Sequence, residues 1–433
     1  MAAHAPSIEG QVLGAPAMLG VAVLTVVGLW TSNIAMLLLG GLILALSLIS
    51  KLLAHLSLYE VVAERHPSAA EVPEGDIFTL TFVLENRKPF PVTRIRLTEY
   101  LPDGLELVNR DDLVGELIGH TTINETISLS ANERVRIHRR VAAMKRGRYR
   151  LGPTFIDSGD PFGFFQSKRK ERDTRQELLV YPRIHSMPSV ALPFRDGAGR
   201  RPSPLTWRED PTRPNGVREY IPGDPMKRLD WGAFARRGEP FTRTYDTELV
   251  ENLIVAVECG TSEAAWRFDP ERLEAVASAG ATVAKFAIDR QLKVGVIANG
   301  VPPSASTPNY LAANTGMGHL KRILAVLASI QSIPMRPLDL MLADRFRRAS
   351  SEPIALVLVA ARISPAIARL LGRLRRQGVS VSVMYLGADP LPTMANVAVH
   401  RVFAHFRAPA MERPFDGEQA YRPRHEREKV IHA

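Results

Sequence analysis

Apolar and polar positions follow three successive rhythms along this chain. From Gly10 to Ser50 no charged residue interrupts a run of Leu, Val, Ile, Ala and Gly. As helix, rising about 1.5 Å per residue, that run would extend roughly 60 Å, twice a ~30 Å bilayer core. Two crossings fit the length: APAMLGVAVLTVVGLW and IAMLLLGGLILALSLISKLL, joined at Thr31–Asn33, with Trp30 near the interface. A secretory signal peptide would need a positive n-region, which is absent, and would not continue into a second span. Residues 1–56 are therefore expected to form a two-helix transmembrane hairpin. Lys51 and Arg65 flank its exit and the turn carries no cation, which places the bulk of the chain in the cytoplasm.

The period then shortens to two. IFTLTFVLEN puts Phe78, Leu80, Phe82 and Leu84 on one face, and TRIRLTEYL, ETISLS and RVRIHRRV repeat the pattern at short intervals. Pro89 and Pro91 mark a turn. Short alternating strands without long amphipathic helices predict an all-β sandwich over 57–185. Its basic run, Arg134 to Arg150, holds eight Lys or Arg and no acid. Because Val135, Ile137 and Val141 alternate there, the arginines read as the wet face of a sheet rather than a phosphate track.

Residues 186–250 begin as a Pro, Gly and Arg-rich linker and continue into a denser segment. From 251 the rhythm becomes strand, helix, strand. LIVAVEC, LKVGVIA, IALVLVA and VSVSVMYL are apolar runs suited to buried parallel strands, and VAVHRVFAHF adds a further edge. Between them lie helices such as the one capped by Asp269 and Pro270, and one with Ile367, Leu370, Leu371 and Leu374 opposite Arg369, Arg373 and Arg376. Residues 251–407 are expected to form a doubly wound α/β domain. Residues 408–433 read as a mobile tail.

Composition narrows the function. The 433 residues carry a net charge of +10 and a single cysteine, Cys259, which excludes an intrachain disulfide. Beside a membrane hairpin, the basic surplus suits membrane lipid of an anionic leaflet. No zinc-ligand spacing, aromatic-basic signature or helix-turn-helix supports nucleic acid as a partner.

Ligands of a doubly wound sheet sit at the carboxyl ends of its strands. Those ends read Glu258-Cys259-Gly260-Thr261-Ser262, Asn299-Gly300-Val301-Pro302 and Ala360-Ala361-Arg362-Ile363-Ser364. No GxGxxG, GxxxxGK[ST] or GxSxG occurs, so nucleotide binding and elbow-serine hydrolysis lack their parts, and no cofactor is expected. Cys259 reads as a packed thiol.

The densest segment is VREYIPGDPMKRLDWGAFARRGEPFTRTYDTE, from Val217 to Glu248. Asp224 before Pro225 suggests a helix cap, with Gly238 as the stop. Arg218, Arg228 and Arg236 have carboxylates within reach for bidentate pairing, with Tyr220, Trp231 and Phe234 as cover. The favoured reading is a structural lattice between sandwich and α/β domain, ahead of a partner-binding face. The alternatives from other classes are a cryptic hydrolase centred on Asp224 and Asp230, and a basic nucleic-acid or lipid-surface binder.

This segment resembles the signature of the bacterial domain of unknown function fifty-eight family through Val217, Arg218, Glu219, Tyr220, Pro222, Gly223, Asp224, Asp230 and Trp231. RGRYRLGPTFIDSGDPFGFF, Arg146 to Phe165, is similar to a second family segment. The resemblance implies an α/β part similar to von Willebrand factor A domains. It also implies a non-enzymatic membrane adaptor or assembly factor working with a MoxR-type AAA+ ATPase. Such domains often hold a divalent cation through Asp-x-Ser-x-Ser, a distant Thr and an Asp. Here Glu258 and Gly260 stand at the first two positions, only Ser262 matches, and Arg362 falls where an acid is expected. No bound metal is expected. Glu258 and Arg362 then read either as an ion pair in the vacated site or as two unrelated surface charges.

Overall fold

The computed structural model describes residues 7–10, 15–108, 116–117, 120–171, 176–188, 209–220, 226, 229–247, 252–262, 269–300, 309–331, 336–348, 354–392, 394, 397–406 and 425–429. Two compact units emerge, Met1–Arg183 with Ala410–Ala433, and Ile184–Pro409.

In the first unit, β1 (Ser7–Gly10) precedes two apolar helices, α1 (Ala15–Trp30) and α2 (Ile34–Ser57). Asn33 caps α2 by accepting the Ala35 and Met36 N–H groups. The 24-residue α2 is long and apolar enough to cross a membrane, whereas the apolar run Gly20–Trp30 in α1 is shorter. Leu38, Leu42 and Leu48 of α2 face outward. Gly40 fits against Thr25, whose Cγ2 would lie 2.7 Å from a Cβ added there. A small residue thus lets the two helices approach closely.

The strands that follow are β2 (Val61–Pro67), β3 (Glu71–Pro73), β4 (Ile77–Asn86), β5 (Val92–Leu101), β6 (Leu105–Leu107) and β7 (Glu116–Leu117). Next come β8 (His120–Leu129), β9 (Glu133–Ala143), β10 (Gly147–Arg150), β11 (Thr154–Gly159), β12 (Phe165–Lys170) and β13 (Glu177–Tyr181). One sheet runs β1-β12-β11-β5-β8-β7, and a second is built on β2-β4-β9 with β6 also paired to β9. Phe82 and Leu84 of β4 share one core with Ile95 and Leu97 of β5 and Ile123 of β8. Two sheets closed over one core make the sandwich that the period-two pattern predicts.

That core contains two buried ion pairs, each linking one sheet to the other. Arg65 on β2 bonds Glu99 on β5, and Arg139 on β9 bonds Glu125 on β8. Arg65 also donates to the Leu151 carbonyl at 2.8 Å and the Gln176 side chain at 3.3 Å. Two expectations are corrected here. Arg139 is not on a wet face, since it shares the inward face of Val135, Ile137 and Val141. Arg65, taken as a cation flanking the membrane exit, is an internal strut.

The tail is also corrected in part, because His425–Lys429 forms an antiparallel strand on β9. The register sets Glu426 opposite Arg136 and Glu428 opposite Arg134, and Arg427 reaches Glu133 at 3.6 Å.

The carboxyl end of α2 is held by cations from the sandwich. Lys88 Nζ donates to the Leu56 and Ser57 carbonyls at 2.7 and 2.5 Å. Arg169 donates to the Leu58 and Val61 carbonyls at 2.9 and 2.5 Å. Positive charge there also complements the negative end of the helix dipole. Burial brings the Lys88 amine down to about 8, with Glu60 opposing the shift and Arg169 adding to it. The unfolded chain therefore holds this proton more tightly than the folded one. Stability is expected to rise as pH climbs from about 8 to the ordinary lysine value of 10.5. Unfolding free energies of the full chain in detergent should show that rise, and Lys88→Met should lack it.

In the second unit, β14 (Glu209–Glu219) pairs with β15 (Phe241–Thr247) across α3 (Trp231–Arg237). The segment 186–250, expected to begin as a linker, thus includes strand from Glu209, with register shifts around Pro214. The α/β sheet comprises β16 (Asn252–Glu258), β17 (Lys293–Ala298), β18 (Tyr310–Asn314), β19 (Ile354–Ala360), β20 (Ser380–Tyr385) and β21 (Ala398–Arg401). Their spatial order is β18-β17-β16-β19-β20-β21, parallel except for the β18 edge. Among its helices are α4 (Pro270–Asp289), α5 (Met317–Ser329), α6 (Leu338–Arg348) and α7 (Pro365–Arg376). Ile254, Ala256, Leu356 and Leu358 pack toward α6 and α7, while Val257 meets Gly280 of α4 on the opposite face. Sequence order reverses between β16 and β19, so the ligand crevice of this doubly wound sheet falls between their carboxyl ends.

Candidate functional site

An open cleft of about 1030 Å³ lies at that reversal, lined by Thr261, Ser262, Arg272, Arg362, Tyr385 and Asp389 among others. A set of fixed polar groups stands at the same strand ends. Glu258 Oε1 accepts from Asn299 Nδ2 at 2.8 Å and from the Gly260 N–H at 3.0 Å. Asn299 Oδ1 in turn accepts the Cys259 N–H at 2.7 Å. Thr261 Oγ1 accepts the Asp269 N–H at 2.8 Å, and Asp269 caps α4 while pairing with Arg272 at 3.1 Å.

Burial pushes the Glu258 carboxyl above the usual carboxylate range. The Asn299 and Gly260 bonds, and after them the Arg362 charge, pull it back. Arg362 acts on Glu258 through its field, and the direct bonds come from Asn299 and Gly260. A folded pKa above the unfolded one contributes stability below the unfolded value that is lost as pH rises through the folded value. Glu258→Gln keeps both acceptor bonds. It is therefore expected to match or exceed the parent's thermal midpoint at pH 7 and to lose that advantage near pH 4.

A divalent cation does not fit these donors. Mg²⁺ asks for about six oxygens in near-octahedral order. Glu258 Oε1 and Thr261 Oγ1 are committed to N–H donors, Gly260 has no side-chain oxygen, and two guanidinium groups line the cleft. Among the described residues no group of three His, Cys, Asp or Glu stands together.

The backbone itself closes one wall. A Cβ on Gly387 would lie 1.9 Å from the Ala361 carbonyl oxygen and 2.4 Å from the Tyr385 hydroxyl. Tyr385 is buried and donates to the Asp389 carbonyl at 3.0 Å, with burial raising its pKa. Sequence reading reached Glu258, Ser262 and Arg362 through the strand ends. Asn299 was in view at a neighbouring end, but its role depends on β16 and β17 lying side by side. Arg272, Tyr385 and Gly387 carried no motif.

The signature segment forms a second surface. Pro222, Gly223, Asp224 and Arg228 lie outside the described residues. The cap of α3 is Asp230: its carboxylate accepts the Gly232 and Ala233 N–H groups at 3.0 Å and Arg243 Nε at 3.1 Å. The Ala233 bond foremost, then Arg243, holds the Asp230 carboxyl below its ordinary range. That state suits a cap and opposes use as a general acid. Gly238 ends the helix in the left-handed region, as expected.

Arg236 bonds the Gly232 carbonyl of its own helix rather than a carboxylate, and Arg218 donates to the Glu219 carbonyl. The Tyr220 N–H is held by the Pro240 carbonyl. Trp231 is 62% exposed and Phe234 39%, in edge-to-face contact with each other. These two rings are among those expected to cover arginines. They stand on the surface, with Met226 and Val217 also exposed.

Residues 216–402 match the family model described as protein of unknown function DUF58, which agrees with the resemblance in the signature segment. The uncharacterized protein YeaD of Bacillus subtilis (strain 168) is 24% identical over 277 residues, 64% of each chain. This chain thus spans just under two thirds of that relative's length. A non-cellulosomal cohesin from the archaeon Archaeoglobus fulgidus aligns with 27% of this chain and 90% of its own, at 17% identity and a TM-score of 0.19. A GH20 exo-β-N-acetylglucosaminidase from Vibrio harveyi covers 75% of this chain and 82% of its own, at 10% identity and a TM-score of 0.20. Scores this low carry no argument about fold or activity.

Proposed function

We propose that this chain is a membrane-anchored, non-enzymatic adaptor that recruits a partner protein through its signature segment. The observation that carries the reading is the Trp231–Phe234 pair, set on a capped helix and left open to solvent. Exposed aromatic anchors on a rigid element are the residues that dominate protein interfaces. The internal commitment of Asp230, Glu258 and Asn299 favours binding over catalysis.

The partner that the family resemblance suggests is a MoxR-type AAA+ ATPase, and the same resemblance reads the α/β unit as von Willebrand factor A-like. The β18-β17-β16-β19-β20-β21 order, with an antiparallel edge, is compatible with that reading. We read α1 and α2 together as two spans in membrane lipid, with Lys51 at the exit favouring a cytoplasmic bulk. A single, buried cysteine, Cys259, accords with a reducing compartment.

Trp231→Ala tests the surface directly. Because the side chain is exposed, stability is expected to change by no more than about 0.5 kcal/mol. Recovery of the ATPase with the tagged protein should fall at least several-fold. Unchanged recovery at unchanged stability would remove Trp231 as the anchor.

A further inference from the structure

The Asp160–Phe165 turn between β11 and β12, part of the second family-like segment, has no role in the adaptor surface. It is closed by its own acid: Asp160 accepts the Phe162 N–H at 2.9 Å and the Phe165 N–H at 2.7 Å. Gly163 holds a φ of +75°, and its N–H reaches the Asp160 carbonyl at 3.1 Å. This self-contained turn carries Phe162 outward, 52% exposed, with Phe164 stacked beside it. Rigid display of an apolar ring in water costs free energy unless something covers it.

Two contacts fix where the turn stands. At the far end of β12, Arg169 holds the Leu58 and Val61 carbonyls just beyond α2. At the near end, Gly10 lies opposite Phe165, and α1 begins five residues later at Ala15. Four strand steps from Arg169 to Phe165 span about 13 Å, and α2 packs against both β11 and β12 along the way. The turn therefore stands at the end of β12 beside the strand that leads into α1, in the same sheet that α2 packs against. Lys51 on α2 and Lys168 and Lys170 on β12 are exposed nearby in these elements, where cations suit anionic headgroups.

We propose that this turn is a third membrane contact, with Phe162 and Phe164 seated in the headgroup–acyl boundary beside the two helices. The proposal rests on the reading that α2 spans the bilayer, so the test probes the two separately. Cys259 is fully buried, so an introduced surface cysteine takes a thiol-reactive, polarity-sensitive fluorophore selectively. The full chain would be labelled as Phe162→Cys, as Pro161→Cys (which keeps both phenylalanines) and as Leu44→Cys, then reconstituted in vesicles containing anionic lipid.

Labels at 161 and 162 are expected to show blue-shifted emission, quenching by lipids carrying a nitroxide near the headgroup, and protection from aqueous iodide. The label at 44 should be quenched by a nitroxide deep in the acyl chain. Iodide quenching at 161 and 162 with lipid quenching intact at 44 would overturn the turn's membrane contact while leaving the span in place. Iodide quenching at 44 would overturn the span itself.

Discussion

Arg65→Met is expected to destabilise the sandwich by about 3–5 kcal/mol, because it leaves the Glu99 carboxylate without its partner where solvent does not reach. Thr154 also donates to Glu99, but one hydroxyl does not replace a guanidinium. The loss includes the Leu151 carbonyl and Gln176, which Arg65 joins to the same strut. Replacing both partners, Arg65→Met with Glu99→Leu, should recover much of that loss, since apolar residues of similar volume often substitute for a buried pair without penalty. Chemical unfolding of the full chain in detergent measures both. An equal loss in single and double variants would show that the strut matters through its other bonds, not through charge.

Gly387→Ala is the second large effect expected. Its Cβ would meet the Ala361 carbonyl oxygen at 1.9 Å, a backbone atom that cannot rotate away. The ends of β19 and β20 must part, at a cost of about 2–3 kcal/mol on the scale of overpacked sites. The Leu386 N–H bond to the Ala360 carbonyl is directly adjacent, so the wall of the cleft moves with it. A thermal midpoint within a degree of the parent would mean that the loop relaxes freely and that the cleft is not built on this contact.

The parts of the fold that were legible in the sequence were those in which hydrophobicity carries the period. Phe78 to Leu84 announced a sandwich strand, and LIVAVEC and IALVLVA announced the central parallel pair. Where charge carries the period, the pattern misled. Glu99 lies on the inward face with Ile95, Leu97 and Leu101, and Arg139 lies with Val135, Ile137 and Val141. The alternation itself marked both positions as internal, yet their charge argued for solvent until a partner on the other sheet was known. HEREK failed for a related reason, because its ladder partner, β9, lies almost 300 residues earlier in the chain.

The candidate site was half visible. A doubly wound rhythm directs attention to strand ends, which located Glu258 and Arg362 without any motif. What Asn299 does there depends on which strands are neighbours, and a linear pattern does not contain that information. The signature segment was recognisable as unusual, but nothing in its linear pattern told that Trp231 and Phe234 would be exposed. That Asp230 caps α3 is a matter of local geometry, which the linear pattern does not contain.

The central claim is recruitment of an ATPase by a membrane-held adaptor. Its most direct test is purification of the tagged full chain from native membranes with magnesium-ATP, beside the Trp231→Ala variant, read by mass spectrometry. Recovery of a MoxR-type AAA+ ATPase with the parent, and its loss with the folded variant, is the predicted result. A parent recovered intact from membranes without any such ATPase, with and without nucleotide, would contradict the account.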